Sequence, residues 1–348
     1  MIRLLFRIIK LSLFLAFFIA IGYGVWNYRL VVYGWNQLRG QLNIILNARP
    51  VEECLNDPVF PDSLKKKLLF IREVRQYATD SLGLDDSKNY TSLYDQHGKP
   101  VLWVITACEP YSLTAYEWKF PFLGAVSYKG FFEKERGLPE VEALKKQQYD
   151  VSYHPTGGWS TLGWFRDPIL SNMLRRNEGQ IAELIIHELS HATIYLPGSV
   201  DYNENFATFV GEQGALKFLA AKYGSTSEEY IQYQNEQEDE ARFGAYMLRS
   251  SGRLDSLYKT LSTTTDSLTK KQQKTALIKS IILNINSLNL HYADNYPKYT
   301  TDSLLPNNCL FMSYRRYRKS QDQFMDDYRQ KGRNMKLWIN YLRSKSDE

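Results

Sequence analysis

The chain has 348 residues, of which 44% are hydrophobic, 14% aromatic and 23% charged, and its formal net charge is +5. That composition excludes a disordered chain, and the length is enough to bury a sizeable core. Arg3, Arg7 and Lys10 supply three of the positive charges before the first apolar run, and no nucleic-acid motif accompanies the remaining basic residues, so binding to nucleic acid is not expected.

Residues 11–26 carry no charged side chain, and Trp26, Tyr28 and Tyr33 follow them. Counted from residue 4, a helix of about 22 residues spans roughly 30 Å, with Arg7 and Lys10 snorkelling to the headgroups and the aromatics at the interface. The expectation is an uncleaved transmembrane helix in residues 1–30 that tethers the chain to the cytoplasmic membrane. Its basic flank holds the amino terminus in the cytoplasm and places residues 31–348 outside, in the periplasm, as one catalytic domain. A cleaved signal peptide ending near Ala20-Ile21-Gly22 and a buried helix are the alternatives.

The next elements alternate in period. Residues 31–48 have helical spacing and stop before Pro50, and a second helix, capped by Asp62 or Ser63, ends near Leu82-Gly83. Residues 101–105, 118–128 and 151–154 read as strands, with a helix near 139–148 between the last two. Residues 160–165 could wall a cleft or fill the core. Beyond the Gly157-Gly158 loop the pattern is mainly helical, and the run Arg315-Arg316-Tyr317-Arg318-Lys319 reads as a solvated helix face. Cys54, Cys108 and Cys309 are odd in number and form no C-x-x-C pair, which argues against cysteine-based metal or redox sites and leaves one disulfide open without choosing its pair.

The segment around His187-Glu188-Leu189-Ser190-His191 carries the chemistry. Ile181, Leu184, Ile185, Leu189 and Ala192 recur at helical spacing, and Pro197-Gly198 ends the run. Residues four apart stack on one helix face, so His187 and His191 can present two imidazoles to one ion. Glu188 lies about 100° further round, within reach of a bound water but badly placed to ligate. A catalytic zinc needs a third protein ligand and an open position. Glu204 opens the next helix, capped by Asp201 or Asn203, and the 196–202 loop lets that helix fold back to present Glu204 to the histidine pair. On this reading Zn2+ is the cofactor and Glu188 the general base that accepts the water's proton and passes it to the leaving amine.

The N-E-x-x-A sequence after H-E-x-x-H resembles the gluzincin metallopeptidases, where the later glutamate is the third zinc ligand. Further blocks are similar to a family of bacterial aminopeptidases predicted to be zinc peptidases: Leu38-Arg-Gly-Gln-Leu42 with Asn47-Ala-Arg-Pro50, Trp118-Lys-Phe-Pro121 with Tyr128-Lys-Gly-Phe131, residues 160–165 with Asp167-Pro168, and Asn307-Asn308. The resemblance spans residues 30 to about 345. It implies an α+β, mainly α fold with a zincin-like catalytic core, a small β-sheet preceding the metal helix, and a peptide or protein substrate. The chain lacks the G-x-M-E-N segment by which better-known gluzincin aminopeptidases hold a free amine, so the aminopeptidase activity comes from the resemblance alone.

Candidates for stabilising the oxyanion are Tyr128, Tyr153, Tyr292, His154 and His291. Glu183, one turn before His187, could orient that histidine or simply be solvated. Two other functions use the same residues: a zinc hydrolase of a non-peptide amide, and a tethered binding or assembly factor with a structural or relict metal site.

Overall fold

The structure is a computed structural model that describes residues 2–121, 124–156, 166–196, 198–261, 265–318 and 320–346. Residues 160–165 therefore lie outside the described residues, as does Pro197. The chain divides into two units, Met1–Asn47 and Ala48–Glu348.

The first unit is two helices, α1 (Ile2–Trp26) and α2 (Tyr28–Leu46). Among the described residues no helix is long and apolar enough to cross a membrane. That overturns the expected transmembrane helix and, with it, the single-pass periplasmic placement. The shortfall is one of length, because the charge-free part of α1, residues 11–26, covers about 24 Å at 1.5 Å per residue, against a hydrocarbon core of roughly 30 Å.

The second unit opens with β1 (Arg49–Pro50), α3 (Val51–Asn56) and α4 (Asp62–Tyr77). Asp62 sits in the first turn of α4 behind Pro61 rather than capping it. α4 buries Leu68, Ile71 and Val74, then widens into a π turn, Ala78–Leu82, which Gly83 closes at a φ of +82° that a side chain would oppose. There follow β2 (Ser92–Tyr94), β3 (Trp103–Cys108), β4 (Trp118–Phe120), β5 (Gly124–Val126), β6 (Lys129–Phe131), α5 (Lys134–Lys146), β7 (Asp150–Pro155) and β8 (Ile169–Leu170). The expected strand over 118–128 is in fact a hairpin, β4 pairing with β5 through Phe120 opposite Gly124.

The sheet that matters for the site is antiparallel, in the order β6-β3-β7, with Val104 between Gly130 and His154. Asn307 and Asn308 fasten β7 at its other end. Asn307 Nδ2 donates to Val151 O at 3.0 Å, while Asn308 N donates to Asp150 Oδ2 at 2.9 Å. Lys274 Nζ meets the same carboxylate oxygen at 2.5 Å, so the half-buried charge of Asp150 is compensated.

The remaining helices are α6 (Glu178–Thr193), α7 (Val200–Tyr223), α8 (Glu228–Thr260), α9 (Ser267–Leu283), α10 (Asn308–Arg318), α11 (Gln321–Gln330) and α12 (Met335–Ser346). The second unit is thus mainly helical with small sheets, consistent with an α+β arrangement. Ile181, Ile185 and Leu189 turn one face of α6 into the core, and Asn177 caps the helix by accepting the Gln180 N–H at 2.9 Å. Phe206 and Phe209 of α7 pack with Phe324, Tyr328 and Trp338 from α11 and α12 in edge-on aromatic contacts. Phe243, Met247, Ile281 and Phe311 form a second cluster among α8, α9 and α10. All three cysteines are buried and free, so the disulfide left open by the sequence is not made.

Candidate metal centre

α6 and α7 lie unusually close. A Cβ on Gly211 would stand 3.0 Å from the Glu183 carbonyl oxygen and 3.1 Å from His187 Cβ, so glycine is what permits the approach at the level of the histidines. Asn203 and Asn205 flank Glu204, and both are buried. Asn203 does not cap α7 as the sequence suggested. Its amide closes a reciprocal pair with Leu196, accepting from the N–H and donating to the carbonyl, each at 2.9 Å. Asn205 Nδ2 donates to Asp201 O at 2.8 Å and to Arg316 O, and its Oδ1 accepts from Ser320 N at 3.0 Å. Two buried amides thereby fix the first turn of α7, and with it the position of Glu204.

His187, His191 and Glu204 converge as one group that could hold a metal ion. The two imidazole Nε2 atoms are 3.3 Å apart, and Glu204 reaches them at 3.6 Å and 3.9 Å. A tetrahedral ion with bonds of 2.0–2.1 Å separates its ligands by about 3.3 Å, so the donor spacing fits zinc. The His191 ring nitrogen Nδ1 is buried without a hydrogen-bond partner among the described residues, which leaves Nε2 as its engaged atom. Two nitrogens and one carboxylate oxygen are also the donor types that zinc accepts.

Burial pulls His191 down to about 4, with the neighbouring His187 adding to the effect, so its ring is neutral. His187 behaves oppositely. Burial opposes its charge, but the Glu204 carboxylate as acceptor and the charges of Glu188, Glu204 and Glu183 outweigh that and raise its pKa above the ordinary histidine value. Burial also opposes charge on Glu204, yet the His187 hydrogen bond, the two histidines and Arg316 keep it below the ordinary carboxylate range.

A cavity of about 880 Å³ opens over the three residues. Leu184 and Glu188 of α6, Val104 and Thr106 of β3, Val151 and His154 of β7, and Tyr128 line it. Of the oxyanion candidates, Tyr128 and His154 are therefore at the cleft. Tyr153 donates to Lys134 O at 2.8 Å and packs at a tilt against Trp103, while the backbone N–H groups of His291 and Tyr292 donate to the buried Asp239 at 2.8 and 2.7 Å, which makes these loop anchors instead. Glu183 is not solvated. Tyr233 and Gln237 both donate to its Oε2, at 2.9 and 3.2 Å, and burial pushes its carboxyl up.

Several participants were not read from the sequence. The basic run of α10 is no solvated face: Arg318 is buried between Glu212 at 2.5 Å and Glu240 at 3.2 Å, and Arg316 lines the cleft. Tyr90, buried and held at a φ of +59°, lies close enough to Glu188 to be affected by its charge, and its hydroxyl has no hydrogen-bond partner among the described residues. The pairing of Arg316 and Arg318 with opposite walls follows helical spacing, but no sequence signal marks which face of α10 is inward.

The chain matches the family described as "Putative aminopeptidase" over residues 32–347, nearly its whole length, and belongs to that family. The family name suggests a peptidase. No curated protein and no solved structure matches.

Proposed function

We propose that the chain is a zinc-dependent peptidase, with His187, His191 and Glu204 holding the ion and Glu188 acting as general base. The observation that carries the proposal is the 3.3–3.9 Å spacing of three donors of the right chemistry at the floor of a cleft that Glu188 also lines. Family membership supports the peptide substrate. A bound zinc would acidify a water and polarise the scissile carbonyl.

The rest of the chemistry belongs to the chain. Glu188, one residue after His187 and displaced round the helix, takes a proton from the attacking water and passes it to the leaving amine. Tyr128 and His154, which line the same cleft, are the side chains that would donate to the developing oxyanion. Burial lowers His154, so it stays neutral and can offer an N–H, with Ser152 Oγ 3.1 Å from its Nδ1. Asn203 and Asn205 hold Glu204 in register against the two histidines, which is what a site with fixed donor spacing requires.

The test is elemental analysis of the purified chain followed by a peptide-library digest. The expected result is about one zinc per chain and cleavage that a chelator abolishes and added zinc restores. Metal-independent cleavage, or zinc without cleavage of any peptide, contradicts the proposal.

A further inference from the structure

The charged groups lining the cleft are unevenly committed. Its carboxylates are Glu183, Glu188 and Glu204, and its guanidinium groups are Arg176 and Arg316. On the zinc-peptidase reading, on which this inference rests, Glu204 and Glu188 serve the ion and the water. Glu183 already accepts hydrogen bonds from Tyr233 and Gln237. No lining carboxylate among the described residues is then left over to receive a substrate ammonium, and residues 157–165 contain no ionisable side chain.

Arg316 is placed differently. The Arg316 side chain is only 14% exposed, and its Nη2 donates to Ser127 Oγ at 2.7 Å. Its Nε is buried without a hydrogen bond among the described residues, since Asp201, itself 75% exposed, stands at 3.6 Å. When zinc is bound, the two charges of the ion and those of the two guanidinium groups stand against three lining carboxylates, so one positive charge is in excess even with Glu183 ionised. A low-dielectric cleft carrying that excess attracts an anion and repels an ammonium. A planar guanidinium also matches a carboxylate in shape.

We infer that Arg316 binds a carboxylate of the substrate, so that the cleft selects peptides carrying one near the scissile bond and not peptides presenting a free amino terminus. The carboxylate could be the peptide's own terminus or an Asp or Glu side chain; the chemistry of recognition is the same.

The experiment uses the full chain carrying Glu188→Gln, loaded with zinc, so that peptides bind without being cleaved. Fluorescence anisotropy compares a labelled peptide with a free carboxyl terminus, its carboxyl-terminal amide, and versions with internal Glu replaced by Gln. Neutralising the carboxylate that is read should weaken binding roughly ten- to a hundred-fold, and the other neutralisation should not. Adding Arg316→Gln should erase the difference between acid and amide while leaving one zinc per chain, and Arg316→Lys should restore part of it. Because the peptide arm needs no change at Arg316, a misfolded variant does not obscure the result. Equal binding of anionic and neutral peptides overturns the inference but leaves the peptidase reading standing, as does tight binding that depends only on a free amino terminus. Failure of every peptide to bind would overturn both.

Discussion

Replacing Arg318 by methionine probes the charged cluster behind His187. The guanidinium lies between Glu212 and Glu240, 2.5 and 3.2 Å away, with both side chains largely buried, and its charge also reaches Glu183. Removing one partner of a buried ion pair costs about 3–5 kcal/mol, because an uncompensated charge stays behind. Here the carboxyls have an escape. Burial already raises Glu212 and Glu240, and Arg318 is the largest influence holding them down, so without it they take up protons. A carboxyl whose pKa is higher folded than unfolded binds extra protons on folding. Stability is then greatest in acid and falls as pH rises above the unfolded value of about 4.3, by about 1.4 kcal/mol per pH unit for each carboxyl until its folded pKa is passed.

Urea unfolding of both proteins with a chelator present should therefore show a loss of about 3–5 kcal/mol at pH 7.5, shrinking by about 2–3 kcal/mol at pH 5.5. Taking the difference from wild type cancels the shared titrations of His187 and His191. A loss below about 1 kcal/mol at both values, or one that grows in acid, would refute the reasoning.

Two other predictions concern the ion. His187→Ala, His191→Ala and Glu204→Ala should each lose the zinc, measured as metal per chain after dialysis, because a site of three protein ligands does not survive on two; unchanged stoichiometry in all three would remove the ligand assignment. Below the raised His187 pKa, zinc binding should displace one proton, the one that Glu204 and its neighbours favour on His187, while His191, pulled down to about 4, is already neutral. Affinity followed by calorimetry should thus fall about tenfold per pH unit as pH drops below the raised His187 pKa, and a hundredfold fall per unit would mean that both rings are protonated.

The pair of histidines was legible because a four-residue spacing on a helix fixes a shared face without help from tertiary structure. Glu204 was legible as an acid on the first turn of the next helix, but the devices that bring it home were not. Gly211 looks like any helix glycine until the carbonyl of Glu183 is found 3.0 Å from where its side chain would start. Asn203 looked like a helix-cap residue, whereas it bonds back to Leu196, and Asn205, which carried no signal in the sequence, bonds across to α10 and Ser320. Arg316 and Arg318 read as a solvated basic run, since a charge run carries no mark of the carboxylates that Glu212 and Glu240 supply from distant helices. The amino-terminal helix was misjudged by counting Arg7 and Lys10 into an apolar span whose charge-free part is too short.

The account stands most directly on Glu188→Gln. The substitution keeps the side chain's shape and leaves His187, His191 and Glu204 untouched, yet removes the proton acceptor. Zinc content and cleavage of the best library peptide should be measured on the same preparation. The account predicts one zinc per chain as in wild type, with hydrolysis reduced by about 10²–10⁴-fold. Wild-type cleavage would contradict the role of Glu188 as base, and loss of the zinc would make Glu188 a ligand and contradict the geometry of the site.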